Sequence, residues 1–438
     1  MDMSVVFPFL TAADPPGTSE GSLDPLGLYQ IADLLGTELV PAVRQRMLRV
    51  RFLSAMAVGA FVTEGLEADP RYREAAPYLV WEWHVVEAIV RSRDEAADNA
   101  GTWGVPGIGV TRRAVKNYDR LDARTYLATP RVFGFNGVYK RLAMHLGITD
   151  AHLAPGPMAE RLVKAWAKSV DTPAETLIAR WRAAVERALG QSPPATRPGW
   201  NRETWAEIAH AFLPNARETA RGEERKLLRE MLNTRGEGRL GALPEIWDLQ
   251  TEFPGDDLPE RQLHERLEEV DPSREPLLAA IRAYESFARS LQDAFDMLRF
   301  VAGPADTNGF DVSAIGSKPE FQRVVRGLDS LYARASERLA SLPPKPIALE
   351  PVFTKRFGRF AEPLAPGDAA WAVVELHRQV QRDKSSTGKL PWLDDLGRQR
   401  VHVRQAYRLD AFDPQPDVFL HAYRGLPIRR FRSDLGDR

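Results

Sequence analysis

From Leu277 to Leu298, seven apolar residues (Leu277, Ile281, Tyr284, Ala288, Leu291, Phe295 and Leu298) recur at alternating spacings of 4 and 3. A strand alternates with period 2 and cannot gather such a set on one side, whereas a helix places it along one stripe. Phe321, Val325, Leu328, Tyr332, Ala335 and Leu339 repeat the spacing. Together they predict two long helices packed as an antiparallel hairpin, with 303–318 as the turn. Three heptads do not require an independent coiled coil, so the hairpin at 273–342 is also a candidate surface for a protein partner.

The rest of the chain is punctuated like a helical protein. One helix is expected near Leu26, a second from about Pro41 to Glu64 and a third from Tyr72 to Arg93. The third contains PYLVWEWHVVEAIVR, apolar nearly all round and suited to the centre of a domain. GTWGVPGIG (101–109) and GQSPPATRPG (190–199) read as boundaries, and LPPKP (342–346) ends the helical pattern. Between the first two boundaries, FGFNGVYKRLAMHLGITDAHLAPGPMAERLVKAWAKSV runs helix, turn, turn, helix. That order fits a helix-turn-helix or winged-helix unit and equally a plain helical hairpin. After LPPKP come a helix (DAAWAVVELHRQVQRDK), a polar loop (SSTGKLPW) and the β-prone pieces RVHVRQAYRL, DVFLHAYR and LPIRRF. The expectation is a mainly α, multi-domain protein with a small C-terminal α+β module, in segments 1–100, 101–190, 200–342 and 343–438. The opening SVVFPFLTAADPPGTSEGSLDPLG should form a strand or arm followed by an ordered loop.

Charge is nearly balanced overall, 59 Lys+Arg against 60 Asp+Glu, but it is segregated. Residues 1–43 carry six acidic residues and no Lys or Arg, and residues 244–276 carry eleven acidic against three basic. Residues 110–168 carry eleven basic against four acidic (+7), and residues 377–432 twelve against six (+6). The opposite segments could dock on one another, or the basic ones could track phosphates. For the second reading the candidate nucleic-acid-binding residues are Arg112, Arg113, Lys116, Lys140, Arg141, Lys384, Lys389, Arg400 and Arg404, with Trp392 for base stacking. Aromatics accompany both segments, among them Tyr118, Tyr126, Phe133, Phe135, Tyr139, Trp166, Tyr407 and Tyr423. Lys384 and Lys389 flank an SSTG loop that could cradle a phosphate. It is no Walker A loop: Asp383 stands where the first glycine should be, and Leu390 replaces the Ser/Thr.

Other chemistries find little purchase. The chain has no cysteine, which removes disulfides, thiolate zinc sites, iron–sulfur clusters and thiol nucleophiles. Its eight histidines include no pair at i, i+3 or i+4, and no metal ligands or cofactor are expected. Glu224-Arg225-Lys226 has the E-x-K spacing of some metal nucleases but sits in a helical run. Gly17-Thr18-Ser19-Glu20-Gly21 matches a nucleophile elbow without the flanking strand and helix. Gly104–Gly109 reverses the dinucleotide-binding glycine order. The longest apolar run, Phe52–Val62, is about half a membrane span, and Met1–Leu10, with no basic residue and its apolar run broken at Pro8, is not expected to act as a secretory signal. Arg exceeds Lys by 49 to 10, the usage of a GC-rich bacterial genome, and the cytoplasm is the expected location.

Glu82, His84 and Glu87 fall inside the apolar third helix. Buried carboxylates need partners, and Arg44, Arg46, Arg49 and Arg51 of the preceding helix are the expected ones. Alternatively the three residues line a pocket, where desolvation would prepare a carboxyl for acid/base work. A fourth candidate is Asp14. Val5–Leu10 leading into Asp14-Pro15-Pro16-Gly17-Thr18-Ser19 resembles the water-activating loop of uracil-DNA-glycosylase-type enzymes. That resemblance implies metal-independent base processing in DNA, with Asp14 the first carboxylate. On a larger scale DPLGLYQIADLLG, PYLVWEWHVVEAIVR, FGFNGVYKRLAMHLGI and HRQVQRDK…GKLPW resemble uncharacterised bacterial proteins of antiphage-defence loci. This implies a DNA-directed role by association. The expected function is nucleic-acid binding, DNA first, with a DNA-glycosylase-like hydrolase and a protein-recruiting scaffold as alternatives.

Overall fold

The computed structural model describes residues 24–69, 74–91, 104–196, 202–212, 222–253, 258–302, 309–343, 348–384 and 389–436. Asp14, the expected opening arm and the 17–21 motif lie outside them. The chain is mainly helical, with one three-stranded antiparallel sheet towards its C-terminus. It divides into two compact units that cut across the expected segments. Unit A joins the chain up to Leu35 to Pro259–Ala422; unit B joins Gly36–Leu258 to the chain from Tyr423. Helix α1 (Tyr29–Leu39) crosses the division. It starts where Asp24 accepts hydrogen bonds from the Leu28 and Tyr29 amides, at 2.9 and 3.1 Å. A short polar side chain thereby satisfies amides that no helical turn reaches.

Unit B is built around α2 (Phe52–Thr63) and α3 (Pro77–Arg91), both buried along almost their whole length. Helix α2 begins eleven residues later than the sequence pattern suggests. Residues 41–51 form turns, with Ala42 at φ 64°, and tertiary partners claim their amides. Arg49 N–H donates to Tyr139 Oη at 2.8 Å, and Val50 N–H to Asp434 at 3.1 Å. Gly59 lets α3 close on α2, because a Cβ there would stand 2.4 Å from Trp81 Nε1. The Trp81 indole instead donates to the Ala55 carbonyl at 3.0 Å. Around these helices come α4 (Ile108–Lys116), α5 (Pro130–Phe133), α6 (Phe135–His145), α7 (Ala159–Ala167), α8 (Ala174–Leu189) and α9 (Arg202–Phe212). Trp81, Trp166, Trp181 and Phe212 pack ring to ring, with Trp166 and Phe212 stacked at 5.6 Å. Each such ring buries enough apolar area for roughly 2–3 kcal/mol. Then follow α10 (Gly222–Leu232) and α11 (Leu243–Glu252). Glu224 of the E-x-K triplet turns inward, accepting from Ser54 Oγ at 2.5 Å and pairing with Arg51 at 3.4 Å.

In unit A, α12 (Glu260–Val270) precedes α13 (Glu275–Val301), the expected long helix. All its predicted stripe residues except Leu277 are buried, and so are Ala279, Ala283, Phe287, Ala294 and Met297 on other faces. It is therefore the central helix of a core, not one strand of a two-helix seam. Next come β1 (Phe310–Asp311), α14 (Val312–Ile315), α15 (Pro319–Val325) and α16 (Leu328–Ala340). The second heptad run is thus two helices, broken where Gly327 adopts φ 71°. Ser290 Oγ donates to the Val324 carbonyl, and Phe287 meets Tyr332, which gives the antiparallel sense. The apolar stripe once available for a partner is covered by α15, α16 and α18 (Pro366–Asp383), which follows α17 (Leu349–Phe357).

Strands β2 (Leu393–Gly397) and β3 (Arg400–Val403) complete the sheet in the order β1-β3-β2. Val401 faces both Phe310 and Asp395, and a bulge falls at Leu396. The 400–403 strand matches expectation, and DVFLHAYR forms no strand. LPIRRF instead lies in α19 (Gly425–Leu435) of unit B. Pro427, Ile428, Phe431 and Leu435 recur there at helical spacing and are all buried, so packing overrides the β propensity of a short apolar run.

Candidate nucleic-acid interface

Glu82 is the joint of the first basic segment. It is fully buried, and its Oε2 accepts from the Asn136 N–H (3.0 Å) and Nδ2 (2.9 Å), at the start of α6. Its Oε1 accepts from Tyr126 Oη at 2.8 Å. Gly134 makes room for this carboxylate, since a Cβ there would lie 1.9 Å from Oε1. Tyr126 in turn closes on Gly107, the residue before α4, where φ is 76° and a Cβ would lie 2.4 Å from Oη. The starts of α4 and α6 therefore converge on one carboxylate of α3. Desolvation pushes the Glu82 carboxyl up to about 7, against the lowering effect of its hydrogen bonds from Asn136 and Tyr126.

The other two candidates on α3 are likewise internal. His84 is buried, its Nδ1 2.7 Å from the Val80 carbonyl, and burial lowers its pKa to about 4. Glu87 pairs with Arg91 at 2.7 Å, and burial raises its carboxyl. The expected partners among Arg44–Arg51 are not the ones used. Arg49 bridges Asp434 at 2.8 Å and Arg51 reaches Glu224, because residues 41–51 are not helical and direct these guanidinia elsewhere. A cavity of about 430 Å³ in unit A is lined by Gln322, Arg326, Asp329, Phe360 and Glu362, none of them a predicted site residue.

The scaffold of α4–α6 holds cations outward. Arg112, Arg113 and Lys116 on α4 are exposed, Arg141 on α6 is exposed and Lys140 is half-buried. Arg131 of α5, absent from the sequence-derived set, joins them. Among the described residues no carboxylate pairs with Arg113, Lys116, Arg131, Lys140 or Arg141. The nearby acid Asp122 is occupied by the Arg124 and Thr125 amides at 2.7 and 2.8 Å. Further on, the cations of α7, and Lys168 which follows it, are in exposed pairs: Arg161 with Glu230, Lys164 with Glu160, Lys168 with Glu223. Of the aromatics, Tyr126, Phe135, Tyr139 and Trp166 are core, whereas Phe133 is 41% and Tyr118 93% exposed. Tyr118 follows α4 at φ 59°, a conformation that its place after a capped helix end, not its residue type, dictates.

The second basic segment is arranged differently. Trp392 is no free stacking platform: its ring lies on Tyr407 at 4.5 Å, with Arg299 5.0 Å from its centroid. Arg404 pairs with Asp394 at 3.0 Å, and Arg400 donates to the Gly309 carbonyl. Lys384 is half-buried and bonded to the Asp24 carbonyl, and Lys389 N–H donates to the Gln381 carbonyl at 2.8 Å. Residues 385–388, the proposed phosphate loop, lie outside the described residues. No protein-family model, curated protein or solved structure matches the chain. Among the described residues no cluster of three or more His, Asp or Glu could hold a metal, and no helix is long and apolar enough to cross a membrane.

Proposed function

We propose that this chain binds nucleic acid, duplex DNA first, through the outer faces of α4, α5 and α6. The observation that carries the reading is the set Arg113, Lys116, Arg131, Lys140 and Arg141, solvent-facing or half-buried and, among the described residues, without a carboxylate partner. Unpaired cations held on short helices around a buried joint lose little by meeting phosphates, and each contact releases counterions. Tyr118 adds an exposed ring for an unpaired base, whereas Phe133 already carries the Arg46 guanidinium 4.6 Å from its ring centroid. The sequence resemblance to proteins of antiphage-defence loci supplies the setting, protection of bacteria against phage DNA. The test is anisotropy of a labelled duplex with the full chain across a salt series. Binding that weakens steeply with salt supports the proposal, and no binding at low salt refutes it.

A further inference from the structure

In unit A, β2 and β3 are joined by Arg398 and Gln399 alone, and both have positive φ, 52° and 57°. This is the pattern of a type I′ hairpin turn, which twists with the strands and is least strained as Asn-Gly. A Cβ in the left-handed region meets the following carbonyl, so two such residues in succession store strain. Here both positions carry long side chains. Both are exposed, and among the described residues neither side chain has a hydrogen bond or ion pair.

Everything behind the tip is braced. The Gln399 carbonyl accepts from Val312 N–H at 3.0 Å. Asp395 accepts from Gly397 N–H at 2.8 Å and pairs with Arg378 at 2.9 Å. Asp394 pairs with Arg404 and lies 3.7 Å from His402. The hairpin's two carboxylates are thus compensated at its base, and its end presents a guanidinium and an amide.

We infer that the Arg398–Gln399 tip enters the minor groove of A·T-rich duplex DNA. The inference rests on the nucleic-acid reading above. The groove edge of an A·T pair offers only acceptors, and a guanidinium and a carboxamide NH₂ supply donors. A narrow A-tract groove concentrates negative potential and draws in arginine, the less strongly hydrated cation. The ribbon itself is too broad for a groove about 6 Å wide, but the extended Arg398 and Gln399 side chains at its tip can reach into one.

The test is the full chain carrying Arg398→Asn and Gln399→Gly together. Asn-Gly suits the turn, so the variant should melt at or above the temperature of the unaltered chain, which separates loss of contact from loss of fold. Its affinity for an A-tract duplex should fall about tenfold, and its affinity for a G·C-rich duplex should change far less. Unchanged A-tract affinity overturns the inference while leaving the α4–α6 interface standing. Equal loss on both duplexes, or tighter binding of the unaltered chain to single strands or RNA, also overturns it. Failure of the unaltered chain to bind any duplex falls on the interface reading first and removes this one with it.

Discussion

The two basic segments carry almost the same excess charge, +7 and +6, yet the fold neutralises far more of the second than of the first. On α4–α6 the cations point outward around a scaffold tied from within by Glu82. In the second segment Arg398 stays exposed at the hairpin tip, but Arg378, Arg404 and Arg408 are turned on carboxylates, carbonyls or a histidine, and Arg424 and Arg432 are buried. A guanidinium offers five donors in a rigid fork, so a fold rich in arginine can use it as an internal brace. Segment charge therefore measures what a surface could do, and burial decides what remains for a ligand. The acidic segment shows the same economy. Glu245, Asp248, Glu265, Glu268 and Asp271 pair with Arg239, Arg235, Arg261, Arg282 and Arg274, so local pairing absorbs much of its charge.

The sharpest way to break the contrast is to remove the joint. Glu82→Ala strands the Tyr126 hydroxyl and two Asn136 donors, and should cost about 3–5 kcal/mol in denaturant unfolding. Next, replacing Arg113, Lys116, Lys140 and Arg141 with alanine should leave the melting temperature nearly unchanged. It should weaken DNA binding about a hundredfold and reduce the salt slope by roughly 3–4; an unaltered slope would place the interface elsewhere. A third effect is pH-dependent. Glu82 titrates at 4.5 as a free carboxyl and at about 7 in the fold, so between these values the folded state holds a proton that the unfolded chain has lost. Stability contributed by the neutral carboxyl is present below 4.5 and lost as pH rises through 7. Asp434 and Asp293, raised to about 6 by burial, act in the same sense, whereas His84 and His377, lowered to about 4, favour the fold as pH rises to 6.5. Above 6.5 the two histidines of the unfolded chain, half-protonated at 6.5, still lose protons, and their gain offsets most of the loss from Glu82. Stability should then change by only about 0.3 kcal/mol from pH 6.5 to 8, and Glu82→Gln, which removes the opposing carboxyl, should turn this near-flat profile into a rise of about 0.5 kcal/mol. The smallest effect belongs to the second segment: Arg404→Ala should cost under about 1 kcal/mol and leave the salt slope of DNA binding intact.

Much of the helical architecture was legible because periodicity is a local property. Helices α13 and α3 lie where their apolar patterns put them, and Gly327 splits the second heptad run for a reason visible in its residue type. What pattern could not reach was competition from distant groups. Residues 41–51 look helical until Tyr139 and Asp434 take their amides. LPIRRF looks like a strand until Ile428, Phe431 and Leu435 find a core. At the candidate interface, Arg112, Arg113, Lys116 and Arg141 are as exposed as their charge suggested. Trp392 is not, because a ring beside arginines reads the same in sequence whether it is presented or packed. The exposed position of Arg398 at a hairpin tip was not legible, since a positive φ at a non-glycine residue leaves no mark in composition.

By itself, then, the sequence determined a helical chain, its central stripe at 277–298, the separation of its charges and, through the absence of cysteine, the exclusion of thiol and thiolate-metal chemistry. These follow from residue type and spacing along one strand of covalent bonds. The tertiary structure alone decided which charges are neutralised, which carboxylate joins the basic helices and which arginine stands at a strained tip. Those outcomes depend on what lies across a few ångströms of space, where desolvation and hydrogen-bond geometry, not order along the chain, set the energy.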